Sequence, residues 1–166
     1  MKVGNWADME INILIDGEFE ECPEISWLQE VVEQVLVAQG TSPDAELSLV
    51  ITGQERVQEL NKCYRDKDAP TDVLAFYMVP EVEQIETGSP HFIAPPDGVL
   101  HLGEVIISYP QAVIQAQEQR HSIKKEITIL IIHGVLHLLG YDHEKPEQGH
   151  EMRAEEEKIL NSIEVA

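Results

Sequence analysis

From Ile127 to Leu139 every residue is apolar or glycine except Thr128 and two histidines, His133 and His137. A helix that is hydrophobic nearly all round has no face to offer water, so it has to be covered on every side. This segment therefore predicts the central helix of a core, entered at Ser122 and ended at Gly140. Its two histidines are four residues apart, which puts them on one face of the helix and lets both imidazoles reach one ion. Gly140 can adopt the left-handed backbone that closes a helix, and the chain can then swing His143 back toward the first two. The segment His133 to His143 reads H-x-x-x-H-x-x-G-x-x-H. Three nitrogen ligands with a fourth position open describe a catalytic zinc rather than a structural one, which is usually closed by four protein ligands.

The spacing matches the metzincin peptidase signature H-E-x-x-H-x-x-G-x-x-H with one substitution: Gly134 stands where those enzymes carry glutamate. That glutamate is the general base that takes a proton from zinc-bound water, so the frame is a zincin's without half of its peptide-hydrolysing apparatus. Three neutral imidazoles leave the ion's full charge on the site, and such centres bring the pKa of bound water to about 7. A hydroxide nucleophile is then accessible at neutral pH without a dedicated base, which accounts for Gly134. Zinc is the leading candidate, while nickel, copper and iron also accept three nitrogens. Asp142 reads either as an acid orienting a ligand or as an exposed turn residue. Glu126, seven residues before His133, reads either as a buried acid behind the site or as a helix-start charge. Met152 invites comparison with the metzincin Met-turn, but its helical setting favours core filling. His91, His101, His121 and His150 lack ligand spacing to one another and are read as structural or exposed.

At 166 residues, with 43% apolar and 25% charged side chains, the chain suits one soluble domain burying roughly 70% of its extended surface. Cys22 and Cys63 do not form a C-x-x-C pair, and no stretch has the length of a signal peptide or membrane span, so a reducing cytoplasmic setting is expected. The net charge of -20 opposes general affinity for polyanions and counts against a nuclease. Charge can nonetheless be local: Arg56, Lys62, Arg65 and Lys67 fall within one twelve-residue stretch.

Along the chain, Ile11, Ile13 and Ile15 alternate as in a strand. A helix follows from Ser26, with Ser26 and Gln29 as a capping box, an apolar face from Trp27 to Leu36, and Gly40 as its stop. Leu47, Val50 and Ile51 suggest a second strand broken at Gly53, and a helix over 54–64 would bury Val57, Leu60 and Tyr64. Residues 72–77 and 99–107 read as strands. Between them, 79–98 holds four prolines and reads as a flap or variable insertion rather than a hidden hairpin. A helix begins after Ser108, with Pro110 in its first turn. A terminal helix over 147–163 has Met152, Ile159 and Ile163 as anchors, with Glu155, Glu156 and Glu157 outward on a solvated face.

The stretch His133 to His143 resembles the H-G-x-L-H-L-x-G-Y-D-H signature of the YbeY-type bacterial endoribonucleases. Asn61-Lys62-Cys63-Tyr64-Arg65 followed by Thr71-Asp72-Val73-Leu74-Ala75-Phe76 is similar to that family's N-x-x-[YF]-R and T-D-V-L-S-F segment. Leu102-Gly103-Glu104-Val105-Ile106-Ile107-Ser108 is similar to its L-G-D-I-x-I-S strand. The departures are Ala75 for serine and Glu104 for aspartate, so the hydrogen-bonding groups at those two positions are the ones altered and the histidines are intact. The resemblance implies an α+β fold over 1–166: one domain, a mixed sheet of about four strands, and helices around a buried central helix that carries the metal-binding histidines.

It also implies one zinc on His133, His137 and His143, a functional arginine at Arg65, and action on single-stranded RNA in ribosomal RNA maturation. Small-subunit ribosomal proteins are candidate partners, and neither membrane nor DNA is expected. For Arg65 the chemistry is a guanidinium fork on a phosphate, against the plainer reading of a surface ion pair. Attack on phosphorus by water and by the ribose 2'-hydroxyl are both open. The competing functions are a non-catalytic, metal-stabilised ribosome-assembly factor, whose acidic surface suits a basic protein, and a zinc metallopeptidase-like hydrolase.

Overall fold

A computed structural model describes residues 9–41, 44–65, 71–77, 100–141 and 145–163. Nine elements follow in order among them: β1 (Glu10–Ile15), α1 (Ile25–Ala38), β2 (Ala45–Thr52), α2 (Gln54–Arg65), β3 (Val73–Tyr77), β4 (Leu100–Ser108), α3 (Tyr109–Gln119), α4 (Ile123–Leu138) and α5 (Pro146–Ser162). The segment 79–98, expected as a flap, lies outside the described residues.

The strands form one mixed sheet in the order β1-β2-β4-β3. β1 runs parallel to β2 and β2 parallel to β4, with Leu49 opposite both Ile13 and Val105. β3 lies antiparallel to β4 at the edge, with Ala75 opposite Val105. Along β2 the odd-numbered residues Ala45, Leu47, Leu49 and Ile51 are buried while Glu46, Ser48 and Val50 are half-buried, the period-two pattern of a strand with one dry face. Onto the dry face pack α1 and α4, with Leu28, Val32, Val35, Ile127, Ile131 and Val135 in the main core. On the other face α2 covers β3 and β4 through a small cluster of Val57, Leu74 and Ile106.

Helix boundaries follow from their caps. Ser108 accepts from the Gln111 amide to start α3, and Ser122 accepts from the Lys125 amide to start α4. The capping box expected at Ser26 does not form: α1 begins one residue earlier, behind Glu24, with no side-chain cap. Gln29 instead reaches the Ile11 carbonyl at 3.3 Å, tying the helix to β1.

α4 packs on α1, α3, α5, β3 and β4 at once. Ile127, Leu130, Ile131, Ile132, Val135, Leu136 and Leu138 are buried along it, and the Thr128 hydroxyl is satisfied by the Lys124 carbonyl at 2.8 Å. Among the described residues no helix is long and apolar enough to cross a membrane.

Candidate metal centre

The end of α4 is closed by backbone geometry. Gly140 has φ +104°, a conformation that residues with a Cβ rarely adopt. With that turn the Gly140 amide donates to the His137 carbonyl at 3.1 Å, and the Tyr141 amide donates to the Leu136 carbonyl at 3.0 Å. These are the paired bonds of a Schellman motif, which satisfy the last carbonyls and redirect the chain. Asp142 and His143, which follow, lie outside the described residues.

His133 and His137 are half-buried on the same side of α4. Their rings stand nearly perpendicular, at 77°, with centroids 4.6 Å apart, and their Nε2 atoms approach to 3.1 Å. Two nitrogens each about 2.0–2.1 Å from a tetrahedral zinc sit about 3.3 Å apart, so this spacing fits two ligands of one ion. Among the described residues no group of three or more histidine, cysteine and acidic side chains is gathered for a metal. The third expected donor, His143, is not among them.

Behind His133 stands a carboxylate from another element: Glu156 of α5 puts Oε2 3.3 Å from His133 Nδ1. The acid run at 155–157, expected to face outward, is therefore divided. Glu157 is exposed, Glu155 is half-buried and accepts from Gln39 Nε2 at 2.9 Å, and Glu156 is half-buried against His133. The signal was present in the sequence, since Glu156 falls four residues after Met152 and three before Ile159, on the buried stripe of its helix.

Glu126 resolves as the acid of a different site. It is buried at the start of α4, where Oε1 meets His121 Nε2 at 2.6 Å and Oε2 accepts from Gln115 Nε2 at 2.8 Å. Gln115 also donates to Asp72 Oδ2 at 3.3 Å, linking the entrance to β3 with α3 and α4. His121 is thus structural, His101 pairs with Glu46 Oε1 at 2.8 Å, and His150 is exposed; His91 lies outside the described residues.

Gly134 has a steric reason to be glycine. A Cβ there would lie 2.6 Å from Val105 Cγ1 and 3.1 Å from Cγ2, on a fully buried valine of the central sheet. The helix touches the sheet at this point, and the peptidase glutamate has no room. Arg65 closes α2, the helix on the opposite face of the sheet from α4; its side chain, like Lys67, lies outside the described residues. Of the other basic residues in that stretch, Lys62 is exposed and Arg56 pairs with Glu59 at 3.3 Å.

A model of the family described as "Endoribonuclease YbeY" matches residues 16–164. A protein of that name from Dehalococcoides mccartyi (strain CBDB1) is 46% identical over 155 residues, 93% of each chain. One from Roseiflexus castenholzii is 37% identical over 158 residues, covering 95% of this chain and 94% of that protein. The solution structure of TM1509 from Thermotoga maritima is similar with a TM-score of 0.57 at 27% identity, covering 91% of this chain and 87% of that one.

Proposed function

The chain belongs to the Endoribonuclease YbeY family, and from that premise we propose that it cuts single-stranded RNA hydrolytically, in ribosomal RNA maturation, at a zinc held by His133, His137 and His143. The observation that carries the metal assignment is the 3.1 Å approach of the two Nε2 atoms on one helix face. When bound, such an ion supplies Lewis-acid polarisation of a phosphoryl oxygen and lowers the pKa of water.

The chain's own part is positioning. His133 and His137 are held by a helix buried on several sides, the turn at Gly140 ends that helix, and His143, three residues further along the chain, is assigned as the third ligand. Arg65 is assigned to grip the scissile phosphate with its planar fork and to stabilise charge gathering on phosphorus. The peptidase alternative is disfavoured by the contact of Gly134 with Val105, which leaves no space for a carboxylate base. The acidic surface suits basic small-subunit ribosomal proteins as partners that bring RNA to an otherwise repulsive molecule. The free thiols Cys22 and Cys63 suit a reducing, cytoplasmic setting.

The test is elemental analysis of the purified protein with RNase activity measured before and after chelation, beside His137→Ala and Arg65→Ala. Chelation and His137→Ala are expected to remove metal and cleavage together. Arg65→Ala is expected to keep its metal and lose cleavage by about 100-fold or more. Cleavage that survives full metal removal would overturn the proposal, and metal loss in Arg65→Ala would overturn the phosphate role.

A further inference from the structure

We infer that Glu156 is a positioning residue for the metal: it holds His133 in the tautomer that turns the Nε2 lone pair toward the ion. The inference rests on the reading of His133 and His137 as ligands. Its own observation is the 3.3 Å contact between Glu156 Oε2 and His133 Nδ1, made across two helices and 23 positions of sequence.

The placement of Glu156 is costly unless it has such a use. Met152 and Ile159, the neighbours of Glu156 on its helix face, are almost fully buried, and the Glu156 side chain itself is only 22% exposed. A carboxylate on a burying stripe loses hydration and needs a donor in return. An ionised carboxylate can only accept, so the nitrogen facing it carries the proton. In a neutral ring that leaves Nε2 bare, and this is the atom 3.1 Å from His137 Nε2. Histidine ligands that donate their second N–H to a carboxylate are oriented and made more basic by it, and loss of the partner costs about 10- to 100-fold in metal affinity. Glu155, one residue earlier, is engaged with Gln39 and does not share the role.

The experiment is competition for zinc between the whole protein and a chromophoric chelator. It compares wild type with Glu156→Ala, Glu156→Gln, Glu155→Gln and His137→Ala, with thermal melting of each zinc-free form. Glu156→Ala is expected to weaken zinc binding by about 10- to 100-fold. Glu156→Gln, whose amide oxygen can still accept from Nδ1–H, recovers most of that loss, and Glu155→Gln binds as wild type. If Glu156→Ala holds zinc normally while His137→Ala does not, the inference fails and the metal centre stands. If His137→Ala also holds zinc normally, the centre beneath it fails. A Glu156→Gln as weak as Glu156→Ala would rule out orientation through the hydrogen bond. Should Glu156→Ala prove unfolded without zinc, nitrogen-15 spectra of the zinc-free wild type decide: a proton on His133 Nδ1 supports the inference, and one on Nε2 overturns it.

Discussion

Gly134 concentrates two constraints in one absent side chain. As a position in a zincin-like motif it marks a missing base; as a position in the fold it is where α4 rests on β4. Val105 is fully buried and β-branched, so its methyls cannot rotate away from a new Cβ at 2.6 Å. Gly134→Ala would gain helix propensity of about 1 kcal/mol in an exposed helix. Here it is expected to destabilise instead, by about 1–3 kcal/mol of overpacking. Denaturant unfolding of Gly134→Ala, Val105→Ala and the double variant tests this. The double variant should be more stable than the sum of the two singles allows, because the cavity left by the valine receives the new methyl. Strict additivity would show that the contact carries no energy. The motif spacing made the glycine conspicuous, but its steric partner was invisible in the sequence: Val105 is 29 residues away on a strand whose place in the sheet no local pattern fixes. The carboxylate behind His133 was marked by its spacing to Met152 and Ile159 but outweighed by its neighbours. Glu156 sits in a run of three glutamates, and the bulk behaviour of such runs is solvation.

Among the elements, α4 is the one whose two ends do different work. Its C-terminal end presents His133 and His137, and its N-terminal end is anchored by Glu126, His121, Gln115 and Asp72. Seven residues of helix separate Glu126 from His133, about 10 Å of rise, so the two sites do not share a side chain. Glu126→Ala is therefore expected to lower stability by about 1–3 kcal/mol, since it leaves His121 and Gln115 without that acceptor, and to leave zinc affinity unchanged. Thermal melting with chelator competition on the same preparation checks both halves, and a large loss of zinc affinity would return Glu126 to the metal site. The elements themselves were legible because each is marked at both levels. α4 has Ser122, an apolar run and Gly140, and β2 has the apolar Leu47, Val50 and Ile51 with a break at Gly53. The one cap read wrongly, at Ser26, lies inside α1, which starts at Ile25 behind Glu24.

For the whole molecule, the α+β class and mixed sheet were implied by the family resemblance, and the order of strands and helices read from the sequence agrees with them. The edge placement of β3, antiparallel beside β4, has no local signature and is set only in the folded sheet. That topology puts α4, with His133 and His137, on one face of the sheet and α2, which ends at Arg65, on the other. The same assembly also sets how stability responds to alkali. Burial raises Tyr109, helped by Cys22 and Glu21, and burial raises Tyr141, helped by Glu155 and Glu151; burial alone raises Cys22. Each group is an acid held neutral more tightly in the fold than in the open chain. The folded state therefore binds more protons than the unfolded one once pH passes the ordinary thiol and phenol values, about 8.5 and 10. Stability is intact below those values and falls as pH rises through the folded ones. Tyr109 also donates to the Glu20 carbonyl at 2.7 Å and packs on Phe19 at 4.9 Å, joining the start of α3 to the segment before α1. Tyr109→Phe keeps the ring and removes both the bond and the titration. It is expected to cost about 0.5–1.5 kcal/mol at neutral pH and to flatten the decline above pH about 10. Urea unfolding at a series of pH values measures both effects in one experiment. A variant with the wild-type slope at high pH would mean that Tyr109 ionises as easily in the fold as in water, and the alkaline sensitivity would then belong to Tyr141 and Cys22.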